Sequence, residues 1–261
     1  MRNKKNVGGS LTSEYSGYLY ESYFDEIEKV LKRVRKTQQE NILKAAELVS
    51  ECIKNDGLVR AFGTGHSHIL AEEIFFRAGT LAPVSAILEP SLMTYHEALK
   101  SSAMERLEGF GKIIVDYVNP GPQDVFIIIS NSGRNPVPIE VAMETKKRGN
   151  KVIVVTSKTY SKSAPSRHSS GKRLMDIADV VLDNCGEIGD VAVKIPGLAQ
   201  GLGPTSTIAS AYLLHAVMVQ AASNLSKTVK EPPIFWSANL PGGMKKNRKL
   251  IDKYWGKIRN W

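Results

Sequence analysis

The residues best placed to do chemistry are Ser130-Asn131-Ser132-Gly133-Arg134-Asn135, which follow an unbroken Val-Phe-Ile-Ile-Ile run and precede Pro136. That order predicts a buried strand, a turn of small polar residues and a helix opening on proline. Such a turn aims several backbone N–H groups at one point from the positive end of a helix. The Ser130 and Ser132 hydroxyls and the Asn135 amide add donors, and Asn135 suits the N-cap. Phosphate is the anion this arrangement fits. An ordinary strand-to-helix turn would use the same residue types, because Ser and Asn favour turns.

A second turn, Gly63-Thr64-Gly65-His66-Ser67-His68, follows another apolar run. Its glycines let the backbone approach a ligand closely, and Ser67 suits the cap of the following helix. It is not a dinucleotide fingerprint, since His68 stands where the third glycine would be, and it lacks the Gly-Lys-Ser/Thr ending of a Walker loop. Acid–base groups come next. Glu72 lies four residues after His68, and Glu73 four before Arg77, so a plain Glu73–Arg77 ion pair is the alternative to catalysis. His66 and His68 alone supply no metal-ligand set, so neither a metal nor a cofactor is expected. Glu89, His96 and Glu97 are further candidates, with solvated surface groups as the plain alternative. His215 shares a helical stripe with Ile208, Ala211, Tyr212 and Val219, a place for a core or interface histidine. His168 sits among serines and lysines.

These residues need a frame. Apolar runs at 58–62, 83–88, 124–129, 151–156 and 179–182 read as strands covered on both faces. Helical patterns at 67–79, 91–118, 136–149 and 205–226 alternate with them, which predicts a doubly wound, five-stranded parallel α/β sheet with helices on both faces. Ahead of it, Ile27, Val30, Leu31 and Val34, then Ile42, Ala45, Ala46, Val49 and Ile53, give two amphipathic helices within 18–56. Residues 1–17 read as a flexible lead-in, 158–175 as a polar loop and 227–261 as a basic, aromatic tail on a single domain spanning 18–261.

Composition sets outer bounds. The 261 residues are 42% hydrophobic and 23% charged, enough for one sizeable core. Cys52 and Cys185 form no evident pair, there is no run of ~20 apolar residues for a membrane span, and the basic first residues, with no apolar stretch behind them, do not read as a secretory signal. The cytoplasm is the expected compartment. The net charge of +9 favours an anionic partner, although solvated basic tails would also produce it.

Taken together, the 63–67, 130–135 and 152–157 segments resemble the SIS (sugar isomerase) domain, whose Ser-x-Ser-Gly loop ahead of a helix is its phosphosugar signature. The runs SNSGRNPVPIEVAMETKKRG, SRHSSGKRLMDIADVVLDN, GPTSTIASA and PPIFWSANLPGG extend the resemblance to a stand-alone group of SIS proteins over roughly residues 20–260. It implies a flavodoxin-like fold and a sugar phosphate held by Ser130, Ser132 and Asn135 with Asn131 and Gly133 backbone, Thr64 and Ser67 lining the same pocket. It also implies a homodimer or tetramer. SIS isomerases and etherases carry a functional glutamate on the helix after the first loop, and heptose-phosphate isomerases a functional histidine on the last helix. Glu73, with Glu72 beside it, and His215 are the matching positions, and His68 is a further acid–base candidate. An acidic residue is expected after Gly242-Gly243, where this chain has Met244-Lys245-Lys246.

The expected function is therefore binding of a sugar phosphate, with aldose–ketose isomerisation or elimination as the chemistry and a non-catalytic phosphosugar sensor as the alternative. Nucleic-acid binding is not expected, because residues 1–57 supply two helices but no third helix and no turn glycine between them. No membrane partner is expected.

Overall fold

The computed structural model describes residues 18–258. Two long helices come first, α1 (Leu19–Thr37) and α2 (Gln39–Lys54). They lead into β1 (Val59–Gly63), α3 (His68–Glu73), β2 (Val84–Ile87), α4 (Thr94–Met104), α5 (Phe110–Val118) and β3 (Val125–Ile129). Then follow α6 (Pro136–Lys147), β4 (Lys151–Thr156), the short α7 (Lys158–Lys162), β5 (Val180–Asp183), α8 (Ser206–Ser226) and α9 (Gly243–Tyr254).

All five strands are parallel, in the order β2-β1-β3-β4-β5, the flavodoxin-like arrangement. The unbroken apolar runs have a direct cause, since alternate residues face two separate cores. Val59, Ala61, Val125, Ile127, Ile129, Ile153 and Val155 pack beneath α2, α3 and α8. Phe62, Phe126, Ile128, Val152 and Val154 pack beneath α5 and α6. The order of the strands leaves the carboxyl ends of β1, β3 and β4 side by side, where β1 and β3 lie on opposite sides of a crossover.

Several boundaries differ from expectation. The 91–118 segment is not one helix. Gly109 adopts φ +91° ahead of α5, and its N–H and that of Gly111 donate to the Glu140 carboxylate at 2.5 and 2.9 Å, which turns the chain between α4 and α5. The 67–79 helix ends at Glu73, because Phe76 and Gly79 take positive φ. The 158–175 loop contains α7 and is fastened at several points. Helix α8 is long and apolar enough by length and composition to cross a membrane, contrary to the reading of the bare sequence. Its Leu213, Leu214, Val217, Met218 and Ala221 are buried in the core beside α2. The predicted lead-in at 1–17 lies outside the described residues.

The tail closes the amino-terminal end of the sheet. Ile234 bridges Leu81, while Phe235, Tyr254 and Ile258 cluster with Leu58 and Ala82. Lys246, at a position where an acid was expected, lies 3.2 Å over the Trp236 ring. Nearby, buried Arg60 donates from Nε to Asp124 at 2.8 Å, and Asp124 also accepts the Leu58 N–H at 2.8 Å.

Candidate functional site

The loop after β3 is tied down by its carbonyls, which leaves its amides free. Asn131 O accepts from the Ser157 N–H at 3.0 Å and the Thr156 hydroxyl at 3.1 Å. Gly133 O accepts from Leu174 at 2.8 Å, and Arg134 O from Arg167 at 2.9 Å. Gly133 N–H donates to the Ser130 hydroxyl at 3.2 Å. Among the described residues, nothing accepts from the N–H groups of Asn131, Ser132, Arg134 or Asn135. Four unpaired amides at the start of a 12-residue helix make a cradle for an oxyanion. Gly133 sits at φ +58°, where a Cβ would come 3.0 Å from the Thr156 hydroxyl. Pro136 opens α6 as expected. Asn135 takes the N-cap position, but its side chain caps nothing, because its carbonyl oxygen accepts from Arg167 Nη1 at 2.9 Å.

A cleft of about 140 Å³ opens beside this loop, lined by His66, Ser67, Leu70, Ile129, Asn131, Asp190, Ser206, Thr207 and Ser210. Ser67 and Asn131 thus meet as expected. Ser67 does not cap α3. Thr64 does not line this cleft: its hydroxyl donates to Glu105 at 2.8 Å, toward the end of α4. Bare sequence reading missed Asp190, Ser206, Thr207 and Ser210. Asp190, at φ +56°, accepts the Thr205 and Ser206 N–H groups at 3.0 Å each and the Ser206 hydroxyl at 2.6 Å. It therefore caps α8 from a distant loop. The Thr205-Ser206 pair just before an apolar helix was the available signal. Asn184 Nδ2 joins the two sides, donating to Asn131 Oδ1 at 3.0 Å and to the Ser210 hydroxyl at 3.1 Å.

The acid–base candidates separate into groups. Glu73 Oε1 lies 2.9 Å from His215 Nε2 and is also paired with Arg77. Thr207, Ala211 and His215 stand at i, i+4 and i+8 on α8, so the Glu73–His215 pair sits about 12 Å along that helix from the cleft's Thr207. His68 is buried, its Nδ1 on Gly65 O, and Nε2 is 3.9 Å from the exposed Glu72. Glu89 is taken up by Ser91, whose N–H and hydroxyl donate to it. His96 and Glu97 are exposed. His168 is fastened rather than free: Nδ1 is 2.8 Å from the Ser170 hydroxyl and Nε2 is 3.6 Å from Glu140. Among the described residues no group of three His, Cys, Asp or Glu side chains could hold a metal ion.

The fold and this loop define the class of protein. The family description "SIS domain" matches residues 22–157. A UPF0309 protein of Geobacillus thermodenitrificans is 42% identical over 236 residues, covering 90% of this chain and 95% of that one. One from Geobacillus kaustophilus is 43% identical over 232 residues, covering 89% and 92%. The chain therefore belongs to the UPF0309 family of SIS-domain proteins. In fold it resembles phosphoheptose isomerases. That of Neisseria gonorrhoeae gives a TM-score of 0.52 at 19% identity, covering 80% of this chain and 98% of the other. That of Francisella tularensis gives 0.52 at 18%, covering 78% and 96%.

Proposed function

We propose that this protein binds a sugar phosphate, with the phosphate on the 130–135 loop and the sugar in the cleft toward α3 and α8, and that it acts on the sugar with Glu73 and His215. The observation that carries this reading is the set of four unpaired loop amides beside the cleft whose lining includes Ser67 and Leu70 near α3 and Ser206, Thr207 and Ser210 on α8, the two helices that also carry Glu73 and His215. The SIS family and the fold shared with phosphoheptose isomerases support it.

The chemistry that fits is proton movement. In an aldose–ketose isomerisation a base takes the proton from the carbon next to the carbonyl and returns it to the former carbonyl carbon, while the proton of that neighbouring carbon's hydroxyl moves to the former carbonyl oxygen. Glu73 suits the first transfer. His215, hydrogen-bonded to it, suits the exchange with the oxygens. An elimination would use the same carboxylate as base and then as acid to the leaving group. The Arg77 contact fixes the Glu73 carboxylate without excluding either role.

Ser132→Ala combined with Asn135→Ala should weaken sugar phosphates while leaving free sugars untouched. Equal loss for both would refute a phosphate site. Thermal-shift screening against sugar phosphates, amino and N-acetyl forms included, finds the ligand, because a bound ligand raises apparent stability. With the ligand in hand, Glu73→Gln should retain binding and lose turnover. Binding with no turnover by the unaltered protein would make it a sensor.

We also infer self-association, as a homodimer or tetramer. Ile208, Tyr212 and Val219, whose stripe reads as a core or an interface, are exposed on α8 around His215, and an apolar strip beside a site is where a second copy would sit. Sedimentation of Tyr212→Glu checks it: the variant should run at lower mass. Cys52 and Cys185 are free thiols, which fits a reducing cytoplasm.

A further inference from the structure

The 130–135 loop has two sides. The cleft lies toward α3 and α8. On the other side, toward α4 and α6, three arginines gather. Arg134 is in the loop itself and donates from Nε to Pro165 O at 3.0 Å. Arg167 donates from its backbone N–H to Arg134 O at 2.9 Å and from Nη1 to Asn135 at 2.9 Å. Arg106, just beyond α4, donates to the Ser102 hydroxyl at 3.3 Å. These partners are all uncharged. Among the described residues none of the three forms an ion pair with a carboxylate.

Burial, then the charges of Arg106 and Arg134, hold the Arg167 pKa below its ordinary value, so Arg167 stands in the field of the other two cations. Glu105 offsets this in part, and its carboxylate already accepts from Thr64. Solvated arginines normally spread apart. Here the segment carrying Arg167 is fastened: Ser169 donates to Glu108 from its N–H at 2.6 Å and its hydroxyl at 2.8 Å, and His168 faces Glu140. Three cations that make no direct ion pair and are only partly offset by Glu105 favour an anion, and guanidinium groups match phosphate oxygens in pairs.

We propose that Arg106, Arg134 and Arg167 form a second phosphate-binding site across the 130–135 loop from the cleft. The inference rests on the sugar-phosphate reading above and adds a second phosphate group to it. That group belongs either to the same sugar or to a separate phosphate.

The test uses the full chain with three ligand conditions: a hexose 6-phosphate, a hexose 1,6-bisphosphate, and the 6-phosphate with inorganic phosphate. Arg106→Gln, Arg167→Gln and the double variant are titrated by calorimetry beside the parent, with melting temperatures as a folding check. If both phosphates come from one ligand, the parent should bind the bisphosphate about tenfold more tightly than the 6-phosphate. If the second is separate, inorganic phosphate should instead tighten 6-phosphate binding. Either gain should vanish in the double variant. Arg106→Gln alone should reduce it, which keeps the test valid if loss of the Arg167–Asn135 contact disturbs the loop. No gain in the parent, or a gain that survives in the double variant, overturns the second site. So does an equal loss for the 6-phosphate and the bisphosphate, which would assign the arginines to a single phosphate. Failure of all three to bind overturns the underlying reading as well.

Discussion

His215 Nε2 and Glu73 Oε1 lie 2.9 Å apart although 142 residues separate them in the chain. The contact joins α8 to α3, and the same Glu73 oxygen is paired with Arg77. One carboxylate is thus held by two basic groups, on the same two helices that border the cleft. If the pair is the acid–base apparatus, His215→Asn should reduce turnover about 10²- to 10⁴-fold, the range for a positioned acid or base. Affinity for the sugar phosphate should change only a few-fold. Steady-state kinetics beside calorimetric titration separates the two, and unchanged turnover would make the contact purely structural.

Gly133→Ala tests the cradle without removing a polar group. The left-handed backbone costs a residue with a Cβ about 1–2 kcal/mol. The added carbon would also crowd the Thr156 and Ser161 hydroxyls at 3.0 and 3.2 Å. The urea midpoint should fall, and phosphate-ligand affinity should fall further than stability alone explains, because the backbone that carries the four unpaired amides is displaced.

Asp124→Ala should be among the most damaging single changes in the chain. It leaves Arg60 buried without its partner and the Leu58 N–H without its acceptor. Breaking a buried pair from one side costs about 3–5 kcal/mol. Chemical denaturation measures it. Protein that still folds should bind ligand normally, since this pair lies at the amino end of the sheet.

Asp179 gives a pH dependence with a definite sign. Burial pushes its pKa up. The hydrogen bonds from Lys146 and the Val152 N–H, with the charges of Lys146 and Lys151, outweigh that and bring it below the ordinary 3.8. A depressed folded-state pKa contributes stability that is present above the unfolded value and lost as pH falls through the folded one. The stability gap between the parent and Asp179→Asn should therefore be constant near neutrality and shrink below pH 3.8. Denaturation midpoints across that range test it.

Much of this was legible in the sequence, and what was not has a physical cause. Strands such as 125–129 were plain because a sheet covered on both faces demands uninterrupted apolar residues. The 130–135 loop was plain because Pro136 marks where a helix begins. Glu73 and His215 could each be singled out, but their contact depends on α8 returning across the sheet, which no local pattern encodes. Asp190 was invisible for the same reason: a carboxylate capping a helix 16 residues further on leaves no spacing signature. Asn135 was read as a cap because that is the commonest use of its amide. Arg167, 32 residues away, claims the oxygen instead.

The tail that packs Tyr254 and Ile258 against Leu58 and Ala82 has an evolutionary consequence. It places a third apolar cluster, together with the Arg60–Asp124 pair, at the end of the sheet opposite the 130–135 loop. A five-residue strand separates the two ends by roughly 16 Å. Sequence drift that strengthens the lower end creates slack, which changes among the loops above can then consume. Changes among the loops above can thus accumulate on this scaffold while the lower end stays packed, because Leu58, Ala82, Tyr254 and Ile258 lie away from the 130–135 loop.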